Sequence, residues 1–504
     1  MEGKKGSYHH ILKYTGIFGG IQIINILFAL IRNKFVALIL GPEGMGLVSL
    51  FNSTVKLISD STNFGIQISA VKNISEAYSK KNKQEVEKNI VVVRSWSILV
   101  ALFGVFVCMI AGPLVDNVAF SWGDHTLHFI LLSPIVGMTA ITGGETAILK
   151  GTQQLRGLAA ISSLNILLAL ITTIPIYYIW GEVAIIPSLV IVAVIQMLLT
   201  IRYSLRFYPL KFDFSKATLG EGAGMIKLGI AFVVAGIMGS GMDFAIRSML
   251  NNYGALDTVG LYNAGYVITL TYAGMVFSAM ESDYFPRLSA ITCDKAARNI
   301  AINNQIEVLL LLISPMIAAF IVFMPIIVPL LLSSKFVPSI GMMQIMVLSL
   351  YCRAIVLPMQ YLPLSRGDSR SYLLLEAVYD ILLFAATALL YGRYGLTGAG
   401  IAVTIVGIVD VFFTIFYLRI RYSYVFSNRI LKFLMVQTPL GVCAFVLTFF
   451  SQGWLYWLTG TFIFIVSALF SFLILRRNSH LWESLREKFL KKFKPQIKKK
   501  HGKS

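Results

Sequence analysis

Apolar runs of roughly twenty residues alternate with short polar connections along the whole chain. Fourteen such runs are legible, at 9–31, 44–72, 88–112, 127–149, 157–179, 182–202, 222–247, 258–283, 303–333, 337–363, 371–391, 397–420, 430–450 and 453–475. At about 1.5 Å per residue, a helix of this length crosses the ~30 Å hydrocarbon core of a bilayer. The pattern predicts an all-α polytopic membrane protein of about 14 transmembrane helices. The run at 303–333 is overlong and contains Pro315, Pro325 and Pro329, which makes it a candidate for a kink or a break.

Charge orients the spans. The chain is 57% hydrophobic and 13% charged, against about 25% charged in ordinary soluble domains. With the N-terminus in the cytoplasm, the inner segments hold 33 basic residues and the outer ones 5; without the last segment the ratio is still 22 to 5. This asymmetry predicts an even number of spans with both termini cytoplasmic. It also accounts for the net charge of +19 without a nucleic-acid partner. The outer connections are short, the longest being "GPLVDNVAFSWGDHT", so no extramembrane domain is expected. The first run is too long for a cleaved signal core and is read as a retained helix. In the tail, Leu481, Leu485, Phe489 and Phe493 recur every fourth residue among basic side chains, as in a helix lying on anionic membrane lipid.

The chain repeats itself. "GPEGMGL" (41–47) and "ALDTVGL" (255–261) align at an offset of 214: Glu43 with Asp257, Gly46 with Gly260, Leu47 with Leu261. Lys13 and Lys227 share that offset, and Gly151 pairs with Gly367 at 216. The expected plan is two six-helix bundles, 1–210 and 211–425. Each has an even number of spans, so a pseudo-two-fold axis along the membrane normal relates them. Two additional transmembrane helices (426–477), packed peripherally against lipid, and a basic amphipathic cytoplasmic tail (478–504) follow.

Three stretches carry a family resemblance: "LGPEGMGLVSL" after the first span, "ILKGTQQLRGLAAIS" after the fourth, and "GLTGAGIAVTIVGIV" entering the twelfth. They resemble the multidrug/oligosaccharidyl-lipid/polysaccharide (MOP) exporter superfamily, and within it the bacterial O-antigen translocases. The likeness covers about residues 8–420. It implies a flippase of the bacterial cell inner membrane. Such a protein carries undecaprenyl-pyrophosphate-linked oligosaccharide, an O-antigen or related repeat unit, to the outer leaflet by alternating access. It also implies polysaccharide polymerase and glycosyltransferases of the same pathway as partners.

Ionisable residues at membrane depth are costly, about 2.5–3.5 kcal/mol each on insertion scales, so they mark interiors and wet pathways. Lys56, Asp60, Arg353, Asp380 and Asp410 fall near mid-span. Lys13, Lys227, Glu145 and Glu376 fall nearer the inner face, and Asp243 and Arg247 nearer the outer. Lys56–Asp60 and Asp243–Arg247 are spaced i, i+4 and can neutralise themselves as packing salt bridges. Glu376–Asp380 places like charges one turn apart and requires a cation, a proton or basic neighbours. Arg94 is close enough to a helix end to snorkel; Arg353 is not. For a doubly anionic head group, the candidate path is Arg353, Lys56, Arg247, Lys13 and Lys227. Asp60, Asp243, Asp380, Asp410, Glu376 and Glu145 remain as charge partners or sites for a coupling ion, H+ or Na+.

No other cofactor is expected. None of the histidines His9, His10, His125, His128, His480 and His501 lies mid-span, and no C-x-x-C occurs among Cys108, Cys293, Cys352 and Cys443. There is no P-loop. The reading is therefore not an enzyme. The rivals are a drug/cation antiporter of the same superfamily, which would want an acidic cavity, and a membrane-embedded polymerase or transferase, which would want an acid, base or metal in an ordered loop.

Overall fold

A computed structural model describes residues 27–119, 126–272, 294–450 and 453–478, with a few positions between 274 and 291. Lys13, the glycines of the first run (Gly16, Gly19, Gly20) and the amphipathic tail lie outside these residues. Every element among the described residues is helical. They are α1 (27–39), α2 (Gly41–Thr62), α3 (Ile66–Ser79), α4 (Lys83–Ala119), α5 (Thr126–Gly151), α6 (Leu155–Trp180), α7 (Ile185–Ser204) and α8 (Lys216–Tyr253). Then follow α9 (Leu256–Tyr266, continued by a π-helical turn Val267–Tyr272), α10 (Lys295–Leu331), α11 (Ile340–Met346), α12 (Ser349–Ser365), α13 (Ser369–Tyr422), α14 (Asn428–Leu447) and α15 (Trp454–Asn478).

Among the described residues, eight stretches are long and apolar enough to cross a membrane, or nine if the pair Ser334–Met346 and Ser349–Ser365, bent by 51°, is one span. Two of the eight are double. Arg156–Ser204 turns at Gly181, and Ser369–Tyr422 turns at Gly395. The second expected span, 44–72, is not one helix. It breaks at 63–65, where Phe64 and Gly65 are left-handed and the Asn63 side chain accepts a hydrogen bond from the Gly65 amide at 2.7 Å. The proline-rich run does the opposite: α10 continues through Pro315, Pro325 and Pro329.

The repeat is written in the backbone at a constant offset of 214. Gln153 (φ 59°) and Gly367 (φ 69°) make the same left-handed turn after α5 and α12. The true partner of Gly367 is thus Gln153, and the pairing of Gly151 with Gly367 at 216 is corrected. Gly181 (φ 60°, ψ −137°) and Gly395 (φ 57°, ψ −142°) occupy one unusual region that only glycine enters readily. Gly46 and Gly260 touch each other. A methyl group on Gly46 would lie 2.1 Å from the Leu256 carbonyl oxygen, and one on Gly260 would lie 1.9 Å from that of Pro42. Pro42 and Leu256 are themselves 214 apart. The contact is therefore reciprocal, as at a two-fold axis, and it lets α2 and α9 cross backbone to backbone.

The described helices pack as two compact units. One comprises the chain to residue 272 with 325–346 and 367–410; the other comprises 273–324, 347–366 and 411 onward. In the second unit, α14 and α15 are joined by a buried polar knot. Gln437 donates to Ser471 Oγ at 2.9 Å and accepts from Ser467 Oγ at 2.6 Å. Tyr351 of α12 donates to the Gln437 carbonyl at 2.9 Å, and Tyr456 of α15 to the Val322 carbonyl of α10 at 2.9 Å. Away from their charged ends the exposed side chains of these two helices are apolar, among them Met435, Leu458 and Phe462.

Candidate functional site

In the first unit, α2 presents a polar face. Asn52, Lys56 and Asp60 recur at i, i+4 and i+8, one side of a helix. Glu43, Asn52 and Lys56 are the only exposed residues of α2, while Asp60 is half-buried. A lipid-facing helix looks different: α6 exposes Leu164, Ile171 and Tyr178. Asp60 faces α8, where a methyl group on Gly236 would lie 3.8 Å from its Cβ and Cγ. Lys56 and Asp60 interact electrostatically but are not among the close ion pairs of the described residues.

About three turns further along α8, Arg247 is buried and fully engaged. Its Nε donates to Ser49 Oγ of α2 at 2.7 Å, and Nη1 pairs with the Asp243 carboxylate. Nη2 donates to Asn263 Oδ1 at 3.4 Å, and the guanidinium lies 5.8 Å from the Tyr266 ring centroid. Asp380, on the first half of α13, is buried with Glu376 and Asp243 as acidic neighbours. Lys56, Asp60, Asp243, Arg247, Glu376 and Asp380 therefore all lie in one unit, with four acidic and two basic groups. Asn52, Ser49 and Ser240 escaped the reading of the chain. Asn52 stands four residues before Lys56, Ser49 accepts from Arg247 and Ser240 hydrogen-bonds Asp60, but hydroxyls and amides carry no hydropathy signal.

In the second unit, Arg353 is the only exposed residue of α12. Its guanidinium carbon sits 5.9 Å from the Phe277 ring centroid. A lone exposed arginine on an otherwise buried helix fits a wet surface rather than acyl chains. Asp410, at the end of the first unit, is buried on the second half of α13. Lys227 lies on α8, and its side chain is outside the described part.

Arg94 does not snorkel. It is 3% exposed and grips Glu145, which is 4% exposed, with Nε to Oε1 at 2.7 Å and Nη2 to Oε2 at 3.1 Å. Nη1 donates to the Pro209 carbonyl at 2.6 Å, and Nη2 to Ser204 Oγ at 3.2 Å. An inward carboxylate 51 residues away offered a buried fork-to-fork pair, which outweighs the pull of the headgroups when every donor is satisfied. Glu145 is accordingly the partner of Arg94.

Comparison with known proteins places this geometry. The "Polysaccharide biosynthesis protein" family matches residues 11–292. No curated protein matches the chain. Among solved structures, "Lipid II flippase MurJ, inward closed conformation" superposes with a TM-score of 0.67 at 15% identity, covering 92% of this chain and 99% of that one. An inward-facing multidrug resistance MATE family transporter of the MOP superfamily gives 0.66 at 16% identity, covering 79% and 94%. The helical repeat is thus the MOP-superfamily fold. With more than half of its length matched, this chain belongs to the polysaccharide biosynthesis protein family.

Proposed function

We propose that the protein is a flippase for undecaprenyl-pyrophosphate-linked oligosaccharide, an O-antigen or related repeat unit. It would carry the head group from the cytoplasmic to the outer leaflet of a bacterial inner membrane by alternating access. The observation that carries this reading is the exposure pattern. On α2 the exposed residues are all polar and include Lys56, and on α12 the exposed residue is Arg353. Helices placed among apolar spans expose cations in this way when they border water, and a diphosphate head needs cations along its route. Arginine, with its forked donors, suits paired phosphate oxygens. Arg247 is spoken for by Asp243 and Ser49, so it braces α8 against α2 rather than meeting the head. Family membership favours a glycan substrate. Asp380, with Glu376 one turn away, is the group we assign to a coupling proton or sodium ion, because neighbouring like charges favour a bound cation, whereas Asp243 nearby is already paired with Arg247.

The test is transport of a pyrophosphate-linked oligosaccharide in liposomes holding the purified protein. Arg353→Ala and Lys56→Ala are each expected to slow flipping about tenfold or more, the loss of one good phosphate contact. Unchanged rates in both would overturn the reading. The acidic surplus among those six groups of the first unit also suits a drug/cation antiporter, so transport of an organic cation in place of the lipid would favour that reading.

A further inference from the structure

The connector between α7 and α8 has two unlike sides. Beyond Ser204 the chain makes one turn and then runs without regular structure from 209 to 215. One side is fixed to the helices. Arg94 holds the Pro209 carbonyl at 2.6 Å and lies 3.4 Å from the Tyr208 carbonyl, and Ser95 Oγ accepts from the Asp213 amide at 2.9 Å. The Tyr208 ring packs on the cluster of Ile74, Val86 and Ile90.

The other side is bare. Leu205, Phe207, Leu210, Phe212 and Phe214 are 39–52% exposed. Phe212 and Phe214 lie side by side with ring centroids 6.5 Å apart and planes within 14°, as alternate residues of an extended backbone do. Arg206, Lys211 and Lys216 stand exposed among them. The one acid in the stretch, Asp213, is occupied: it accepts from Ser215 Oγ at 2.8 Å and Thr218 Oγ1 at 2.5 Å. Those bonds, Thr218 first, hold its carboxyl below the ordinary carboxylate range.

A contiguous aromatic patch is disfavoured in water. Rings flanked by cations are at home where acyl chains meet anionic headgroups. We propose that residues 205–216 are a docking surface for anionic lipid, with the aromatic side chains seated at the headgroup boundary and Arg206, Lys211 and Lys216 meeting lipid phosphates. Arg94, through the Tyr208 and Pro209 carbonyls, is the positioning residue that keeps this face turned outward. The proposal does not depend on what the protein transports.

The experiment uses the full chain with its four cysteines replaced by serine and an environment-sensitive fluorophore on Phe212→Cys. The vesicles contain phosphatidylglycerol and phosphatidylcholine, with a nitroxide on one lipid or the other. The nitroxide on phosphatidylglycerol is expected to quench the label about fivefold or more beyond the same nitroxide on phosphatidylcholine. Adding Arg206→Gln, Lys211→Gln and Lys216→Gln should bring that ratio to about one while the label stays lipid-quenched. Equal quenching by both lipids in the otherwise unsubstituted connector would overturn the charge recognition. Quenching only by a water-soluble nitroxide would overturn the membrane contact and point to a soluble partner.

Discussion

Arg94 shows how a single residue departs from its sequence environment. Its position near a helix end suggested escape to the headgroups, yet it is buried against Glu145 with its remaining donors on the connector. Breaking such a pair from one side leaves an uncompensated buried charge, at about 3–5 kcal/mol. Arg94→Met is expected to lower the thermal unfolding midpoint in detergent sharply. Arg94→Met combined with Glu145→Met should recover most of the loss, and a double variant no more stable than the single one would contradict this account. Charges were legible as residues and much less as partners. The i, i+4 pair Asp243–Arg247 could be read because both members share a helix. Ser49 and Asn263, which complete the shell of Arg247, come from other helices and have no local signature.

At the scale of the element, α2 and α9 are set by two glycines. Any side chain at Gly46 or Gly260 meets backbone, not a movable side chain. Gly46→Ala and Gly260→Ala are each expected to cost about 1–3 kcal/mol of overpacking and to raise hydrogen exchange in α2 and α9 together. Protection that changed in one helix alone would contradict a shared crossing. The motif behind that crossing was legible because it recurs in sequence. The break at 63–65 was not, since it falls inside a run long enough to read as one span, and the polar Asp60, Ser61 and Thr62 before it are compatible with a helix; the left-handed Phe64 and Gly65 reveal it. Nor do the prolines of α10 act as breakers, because helical neighbours can re-satisfy backbone groups freed by proline.

For the whole molecule, apolar runs and basic asymmetry gave the class, and one duplicated turn gave the symmetry. The copies agree in the turns at Gln153/Gly367 and Gly181/Gly395 but not in charge: Lys56, Asp60, Arg94 and Arg353 correspond to Leu270, Gly274, Val308 and Thr139 at the equivalent places. The scaffold is common to both halves and the chemistry is not. The last two helices fall outside the repeat yet are knotted to α10 and α12 through Gln437, Tyr351 and Tyr456. A chain ending at residue 425 is therefore expected to elute from size exclusion as aggregate; a monodisperse, transport-competent product would show these helices to be dispensable. The unbroken register from Gly46 to Gly181 and from Gly260 to Gly395 carries a further consequence. Surface turns elsewhere drift in length over evolutionary time, but neither copy has accepted a net insertion or deletion across this stretch. The turns at 152–154 and 366–368 thus behave as rulers rather than slack, and they are poor places to graft an epitope or a fluorescent reporter.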